Sequence, residues 1–174
     1  MATTFKRIQT LIHQANNEKK WADSDELAEY VRAQKIKDFQ TKKGKSSDIE
    51  NYMKIATIKR LIRFAEELEL IDKASNGELK LTMQGIKALK SDDNYKSQIK
   101  SSVKSLLVER NAPLNKIIDT AKKIQPPEYP DASTIFKNLP AGTDVSEKEL
   151  RSILFLYALA EGINRKTKVM YITS

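Results

Sequence analysis

The sequence predicts a mainly α chain with small β-hairpins, an α+β fold class, built as two units of similar pattern. Apolar residues recur at helical spacing in several segments, and Asn76–Gly77 separates two short apolar segments as in a hairpin. The order of capped helix, apolar strand and hairpin then returns in the second half. We therefore expect two units, covering residues 1–91 and 92–174.

The composition is basic and contains no cysteine. Lysine and arginine total 31 against 23 acidic residues, a formal net charge of +8 at pH 7. This balance favours a polyanionic partner, although a basic soluble domain shows it too. The lack of cysteine excludes disulfides, thiol catalysis and cysteine-type zinc sites. With no secretory signal in Met1–Lys20 and no membrane-spanning apolar run, we expect a cytoplasmic or nucleoid-associated protein that is not secreted.

Three helices are predicted before the hairpin. Apolar spacing predicts the first over Thr4–Asn16. Ser24 followed by two acids is typical of a helix start, so the second is expected from Ser24 to about Ala33. After the basic stretch Lys35–Lys45, a Ser–x–x–Glu capping box opens a long amphipathic helix over Ser47–Leu68.

The hairpin follows directly. Leu70–Ile71 is a short apolar strand, and Asn76–Gly77 is a strong turn signal because both residues tolerate a positive φ. Leu79–Leu81 alternates apolar and polar residues, as a half-buried return strand does. Thr82 is then expected to cap a helix over Met83–Lys90.

The second half begins with a polar segment, Ser91–Asn94, which is predicted to link the two units. Apolar spacing predicts helices over Tyr95–Leu107 and Leu114–Ala121. The proline-rich segment Gln125–Pro130 cannot lie inside a helix and is expected to be a loop.

A short helix, a capped helix and a second hairpin complete the pattern. Ser133–Leu139 is predicted as a helix with Ile135 and Phe136 facing inward, and Pro140–Asp144 as a turn. A second capping box, Ser146 with Glu149, opens a helix to about Leu159. The strand, basic turn and strand of Ile163–Thr173 follow, and since no further helix comes after them, we expect a piece of a longer protein.

The stretch Tyr52–Leu89 resembles the winged helix-turn-helix superfamily, and Ser146–Thr173 is similar to it. The resemblance rests on the long third helix, the Leu70–Ile71 strand, the Asn–Gly wing, and Leu81–Thr82 followed by a glycine and a leucine. It implies two winged helix-turn-helix units in tandem, which bind double-stranded DNA. Tandem units of this kind occur in recognition domains of some restriction endonucleases, in chromosome-condensation accessory proteins and in transcription factors. A DNA-modifying or restriction protein is the parent that we favour.

In that superfamily the third helix usually enters the major groove, and the wing touches the neighbouring backbone. Carried onto this sequence, the groove-facing residues are Ser47, Asn51, Lys54 and Thr57. Asparagine can pair with adenine and lysine with guanine, and spacing of three or four residues places such side chains on one helix face. The expected phosphate contacts are Lys42, Lys43 and Lys45 before the helix, Arg60 along it, Lys73, Asn76 and Lys80 at the first wing, and Arg165, Lys166 and Lys168 at the second.

A solvated surface explains the same residues without any function, since charged runs are often merely exposed. Asp48 and Glu50 also lie in the first turn of the predicted helix, where they would repel phosphate. Further along the same predicted helix, Lys59, Arg60 and Arg63 add a cationic face.

No arrangement of residues predicts catalysis, so we expect this chain itself to be no enzyme, with no cofactor and no metal site. His13 is the only histidine, and neither a Ser–His–Asp set nor a phosphate-binding glycine loop is present. Glu78–Lys80 and Pro130–Asp131 match the letters of one nuclease motif in reversed order, which we interpret as chance.

The alternative function is a protein-interaction adaptor made of tandem winged helices, as in a chromosome-organising or regulatory complex. In this alternative, the apolar run Leu154–Tyr157 leaves one residue exposed to contact a partner, or a further domain of the same protein. The helix that begins near Ser146 is also poorer in base-reading side chains than the third helix of the first unit.

Overall fold

The computed structural model describes residues 2–41, 54–124 and 130–160. Within these ranges the chain is mainly helical with one two-stranded antiparallel sheet, which confirms the α+β prediction. The elements are α1 (Ala2–Ala15), α2 (Ser24–Thr41), α3 (Ile55–Glu67), β1 (Ile71–Lys73), β2 (Leu79–Leu81), α4 (Met83–Ala88), α5 (Asp92–Glu109), α6 (Leu114–Lys123), α7 (Ala132–Asn138) and α8 (Glu147–Ala160).

The chain divides into two compact units, which we call the N-terminal unit (Thr3–Gln98) and the C-terminal unit (Ile99 onward, with the first two residues). The boundary lies inside α5, a few residues beyond the boundary that the sequence predicts after position 91. Each unit has its own set of fully buried apolar side chains.

Helix α2 differs from the sequence prediction at both ends. Its N-cap is Asp23 rather than Ser24, because the Asp23 carboxylate accepts the backbone N–H groups of Asp25 and Glu26 at 2.7 and 2.9 Å. The helix also continues to Thr41 instead of ending near Ala33. Glycine and proline are the strong helix breakers, and neither occurs in this stretch, so its basic charge does not end the helix.

Helix α3 begins at Ile55, so the predicted continuous helix over Ser47–Leu68 is wrong. The preceding residue, Lys54, is extended, with φ −62° and ψ 128°, and positions 42–53 lie outside the described residues. The buried stripe of α3 starts at Ile58.

Helix α3 ends in a Schellman motif that turns the chain into the hairpin. The Leu70 N–H donates to the Ala65 carbonyl and the Glu69 N–H to the Glu66 carbonyl, both at 2.9 Å. Glu69 takes the left-handed conformation, with φ 56°, at the position where glycine is usual. Leu70 is fully buried, so the motif fixes where β1 begins.

The predicted hairpin is confirmed. Ile71 pairs with Leu81 and Lys73 with Leu79 in antiparallel register. The loop closes with two bonds of 2.9 Å, from the Gly77 N–H to the Ala74 carbonyl and from the Ala74 N–H to the Glu78 carbonyl. Gly77 supplies the left-handed residue of this loop, with φ 92°, as three-residue hairpin loops require.

Trp21 joins this hairpin from the connection between α1 and α2, which the sequence indicated only as a polar break. Its N–H and carbonyl exchange hydrogen bonds with Leu79 at 2.8 and 2.9 Å, forming an antiparallel bridge. The indole Nε1 donates to the Ala15 carbonyl at 2.9 Å, and the residue is only 4% exposed. The N-terminal unit therefore has a third extended segment against its hairpin.

Both helices that follow the hairpin, α4 and α5, begin at a side-chain cap. Thr82 caps α4 as predicted, its Oγ1 accepting the Gly85 N–H at 2.9 Å. Ser91–Asn94, predicted as a linker, is instead the start of α5: the Ser91 Oγ accepts the Asn94 N–H at 3.1 Å, and acids fill the first turn. The polar residues are thus a helix-start signal, because cap and first-turn positions favour oxygen acceptors.

In the C-terminal unit the predicted helices and the Pro140–Asp144 turn are confirmed, the turn by a bond from the Thr143 N–H to the Pro140 carbonyl at 3.1 Å. The second capping box is also confirmed. The Glu149 N–H donates to the Ser146 Oγ at 3.2 Å, and the Ser146 N–H donates to the Glu149 carboxylate at 2.8 Å.

Phe136 does not face inward as predicted. It is 38% exposed while Ile135 is fully buried, because successive helical residues point about 100° apart. The second predicted hairpin, Ile163–Thr173, lies outside the described residues, as does the Gln125–Pro130 loop apart from its last residue.

Candidate nucleic-acid interface

Six of the predicted site residues lie within the described part of the chain, all in the N-terminal unit. They are Lys54, Thr57 and Arg60 at α3, and Lys73, Asn76 and Lys80 at the hairpin. The others lie outside the described residues: Lys42, Lys43, Lys45, Ser47, Asn51, Arg165, Lys166 and Lys168.

The outward side of α3 carries two arginines. Ala56, Arg60 and Arg63 are exposed and follow one another at spacings of four and three residues, which places them on one face. We call Ala56, Arg60 and Arg63 the α3 face. The opposite side of the helix is buried against the rest of the unit. Within the described ranges no carboxylate pairs with either guanidinium, so both can meet an anion in solution.

Lys54 and Thr57, which the sequence predicted to face a DNA groove together with Ser47 and Asn51, do not lie on the α3 face. Lys54 is exposed but extended, so it does not share a helical face with Arg60. Thr57 is half-buried, and its N–H donates to the Lys54 carbonyl at 2.8 Å in the tight first turn. The predicted alignment of Ser47, Asn51 and Lys54 on one helix therefore fails at Lys54.

Lys59, the neighbour of Arg60, turns toward α2 instead. Its ammonium group forms a salt bridge with the Asp25 carboxylate in the first turn of α2. The adjacent carboxylate, Asp23, has a pKa below its ordinary value, chiefly because it accepts the backbone N–H groups of Glu26 and Asp25. The charges of Lys59 and Lys73 lower that pKa further, so acids and cations meet where α2, α3 and the hairpin approach one another.

The hairpin is less basic than its lysines suggest. Lys80 lies opposite Asp72 in the strand register and pairs with it at 3.4 Å. Lys20 pairs with Glu78 at 2.7 Å, and that hydrogen bond is the main cause of the lowered Glu78 pKa. The sequence reading missed these acids, although the cross-strand pair follows from the hairpin register once the turn is placed.

The predicted wing residues Lys73 and Asn76 differ in what their side chains can contact. Lys73 is exposed at the end of β1, where it can contact an anion. Asn76 is exposed as well, but its side-chain oxygen accepts the Glu78 N–H at 3.1 Å, which uses it in the turn.

The basic stretch before α3 is also less exposed than expected at its start. Lys35 lies within α2 and is half-buried. Burial, followed by the nearby charge of Arg7, lowers the pKa of its ammonium group.

The last described helix of the C-terminal unit, α8, presents a different surface. The Arg151 guanidinium donates to the Glu147 carboxylate at 2.5 Å, one turn away on the same helix. Lys148 and Ser152 are exposed beside this pair. The described part of α8 therefore presents a mixed-charge surface, unlike the α3 face.

The residues of the reversed nuclease motif have structural roles. Glu78 bonds Lys20, and Asp131 caps α7 by accepting the Thr134 N–H at 2.8 Å. Among residues 2–41, 54–124 and 130–160, no group of three or more histidine, aspartate or glutamate side chains is arranged to hold a metal ion. None of the helices in those same ranges combines the length and apolar character of a membrane span.

No protein-family model, curated protein or solved structure matches the chain.

Proposed function

We propose that the N-terminal unit is a winged helix-turn-helix module that binds double-stranded DNA through the α3 face. The order of its elements supports the fold assignment: helix, bridging segment, two helices and a hairpin follow one another. The bridge between Trp21 and Leu79 adds a third extended segment to the hairpin, as a small winged-helix sheet requires. In this arrangement α3 is the third helix, and the loop Ala74–Glu78 is the wing.

The observation that carries the proposal is the pair of arginines on the α3 face. Arg60 and Arg63 are exposed on the side of α3 that faces away from the core, and no described acid pairs with them. Guanidinium groups present a planar fork of donors that binds phosphate and guanine edges with two parallel hydrogen bonds. A row of such groups on an exposed helix fits a nucleic-acid groove.

The test is the affinity of the whole chain for a fluorescein-labelled duplex of random sequence, measured by anisotropy over a series of salt concentrations. Tight binding at low salt that weakens steeply with added salt supports the proposal. Replacing Arg60 and Arg63 by alanine should reduce the slope of log affinity against log salt by about 2, since each phosphate contact contributes about 0.9.

A matched control removes two cations elsewhere. Lys122 and Lys123 are both exposed at the end of α6, so the double alanine variant changes the net charge equally. Its salt slope should stay close to that of the unmodified chain. If both double variants lower the slope equally, net charge rather than the α3 face determines binding, and the proposal fails.

In the setting that we propose, the module directs a DNA-modifying or restriction activity carried elsewhere in a longer protein, in the cytoplasm, and performs no catalytic step itself. The second candidate, a protein adaptor, applies to the C-terminal unit. Its Arg151 is paired with Glu147, and its Val108 is 75% exposed, an apolar side chain available to a partner. If that unit binds protein, Lys148→Ala leaves the salt slope of DNA binding unchanged, whereas a reduced slope would assign DNA contact to α8 as well.

A further inference from the structure

The salt bridge between Asp25 and Lys59 removes one cation from the surface around the α3 face. Lys59 directly precedes Arg60, yet its ammonium group is held by a carboxylate of the neighbouring helix. The two side chains are 63% and 39% exposed, for Asp25 and Lys59 respectively. An exposed pair of this kind contributes little to folding stability, because water screens it. Its larger effect falls on the charge that α3 presents to an anion.

A second acid reinforces the local negative charge. Asp23 lies close enough to Lys59 and Lys73 for both cations to lower its pKa, so it stays ionised at neutral pH. Asp25 is also exposed in the first turn of α2 and would repel a phosphate that approached Lys59. Two carboxylates at the start of α2, Asp23 and Asp25, therefore lie near the cations Lys59 of α3 and Lys73 of β1.

We propose that Asp25 limits the affinity of the N-terminal unit for duplex DNA by holding Lys59 away from the phosphate backbone. This inference rests on the proposed DNA binding and names the residue that sets its strength. Sequence-independent affinity grows with each phosphate that a cation neutralises. A cation held by an acid is therefore withheld from non-specific binding, which favours discrimination between DNA sites.

The test compares Asp25→Asn with the unmodified chain in the duplex anisotropy experiment. Asparagine is close to aspartate in size and removes only the charge. The released Lys59 should steepen the salt slope by about 0.9 and tighten binding roughly three- to tenfold at about 0.1 M salt. In the double variant Asp25→Asn/Lys59→Ala the gain in slope should disappear, because the released cation is absent.

The control is Asp93→Asn on α5, which breaks another exposed acid–lysine pair, Asp93 with Lys96, and changes the net charge equally. It should leave the slope unchanged. An Asp25→Asn slope equal to that of the unmodified chain would overturn the inference. So would a gain that persists in the double variant, or one that Asp93→Asn matches.

Lys59→Ala alone gives a second measurement that does not depend on Asp25→Asn folding correctly. Since Lys59 is already withheld, its removal should lower the salt slope by less than Arg60→Ala does, even though it leaves Asp25 unpaired. A slope reduced as much as by Arg60→Ala would overturn the inference. A chain that binds duplex DNA but shows no effect of Asp25 refutes only this inference. If neither the unmodified chain nor Asp25→Asn binds at low salt, the proposed function fails with it.

Discussion

Replacing Gly85 by alanine tests whether α4 packs as closely on the end of α3 as the structure requires. A Cβ atom at this position would lie 2.2 Å from the Leu70 carbonyl oxygen and 3.3 Å from a methyl carbon of Leu81. The Leu70 carbonyl also accepts the Thr82 N–H at 3.1 Å. The new methyl group therefore cannot fit unless the backbone moves and this hydrogen bond is strained.

The expected magnitude follows from three terms. Forcing an extra carbon into a packed site costs about 1–3 kcal/mol, and a weakened backbone hydrogen bond costs about 1 kcal/mol. Alanine regains about 1 kcal/mol over glycine inside a helix. The free energy of unfolding should therefore fall by about 1–3 kcal/mol.

The assay is urea unfolding followed by tryptophan fluorescence. Trp21 is the only tryptophan, it is buried, and it belongs to the same unit, so its emission reports the unfolding of that unit. Lys87→Ala is the control, since Lys87 is exposed on the same helix and should change stability by less than about 0.5 kcal/mol. A Gly85→Ala chain as stable as the unmodified one, or more stable, would refute the close approach of α4 to Leu70.

Three further predictions concern stability. Trp21→Ala should lower the free energy of unfolding by about 3–5 kcal/mol, because it leaves a cavity in a buried site beside Leu79. Urea unfolding followed by far-UV circular dichroism measures this change, and a loss below about 1 kcal/mol would contradict that packing. Glu69→Gly should raise the urea midpoint by the equivalent of about 1 kcal/mol, since only glycine adopts φ 56° without a steric penalty, and a lowered midpoint would argue against the Schellman motif. The hydroxyl and N–H of Ser146 lower the pKa of Glu149 from its ordinary 4.5, so its stabilising effect is complete above that value and is lost as pH falls through the folded-state pKa. Glu149→Gln should therefore flatten the decline of the urea midpoint in acid, followed by far-UV circular dichroism because Glu149 lies in the C-terminal unit. An unchanged pH profile would show that the capping box does not form.

Local chemistry alone explains the parts of the fold that the sequence predicted correctly. The Thr82 cap, the Ser146–Glu149 box and the Gly77 turn each involve residues only a few positions apart, so their geometry follows from neighbouring side chains and backbone. The buried stripes of the helices follow from spacing in the same way. The start of α5 at Ser91 is local as well, because the polar residues that were predicted to form a linker instead provide the cap of this helix.

The candidate site was predictable only in part. That α3 carries exposed cations is visible in the sequence, since Arg60 and Arg63 lie off its apolar stripe. That Lys54 precedes the helix was missed because the capping box at Ser47 favoured an earlier start. Within the described residues, the candidate interface therefore rests on the exposed arginines.

The sequence by itself determined that the described residues are mainly helical, where the first hairpin turns, and that the chain carries excess positive charge. Only the tertiary structure decided which of those charges stay available. Asp25 forms a salt bridge with Lys59 and Glu78 with Lys20, and the backbone of Trp21 bridges to Leu79. These contacts form because the packing of α2, α3 and the hairpin brings together residues that are distant in the chain. A charge acts on an anion according to its neighbours in space, and those neighbours exist only once the core has formed.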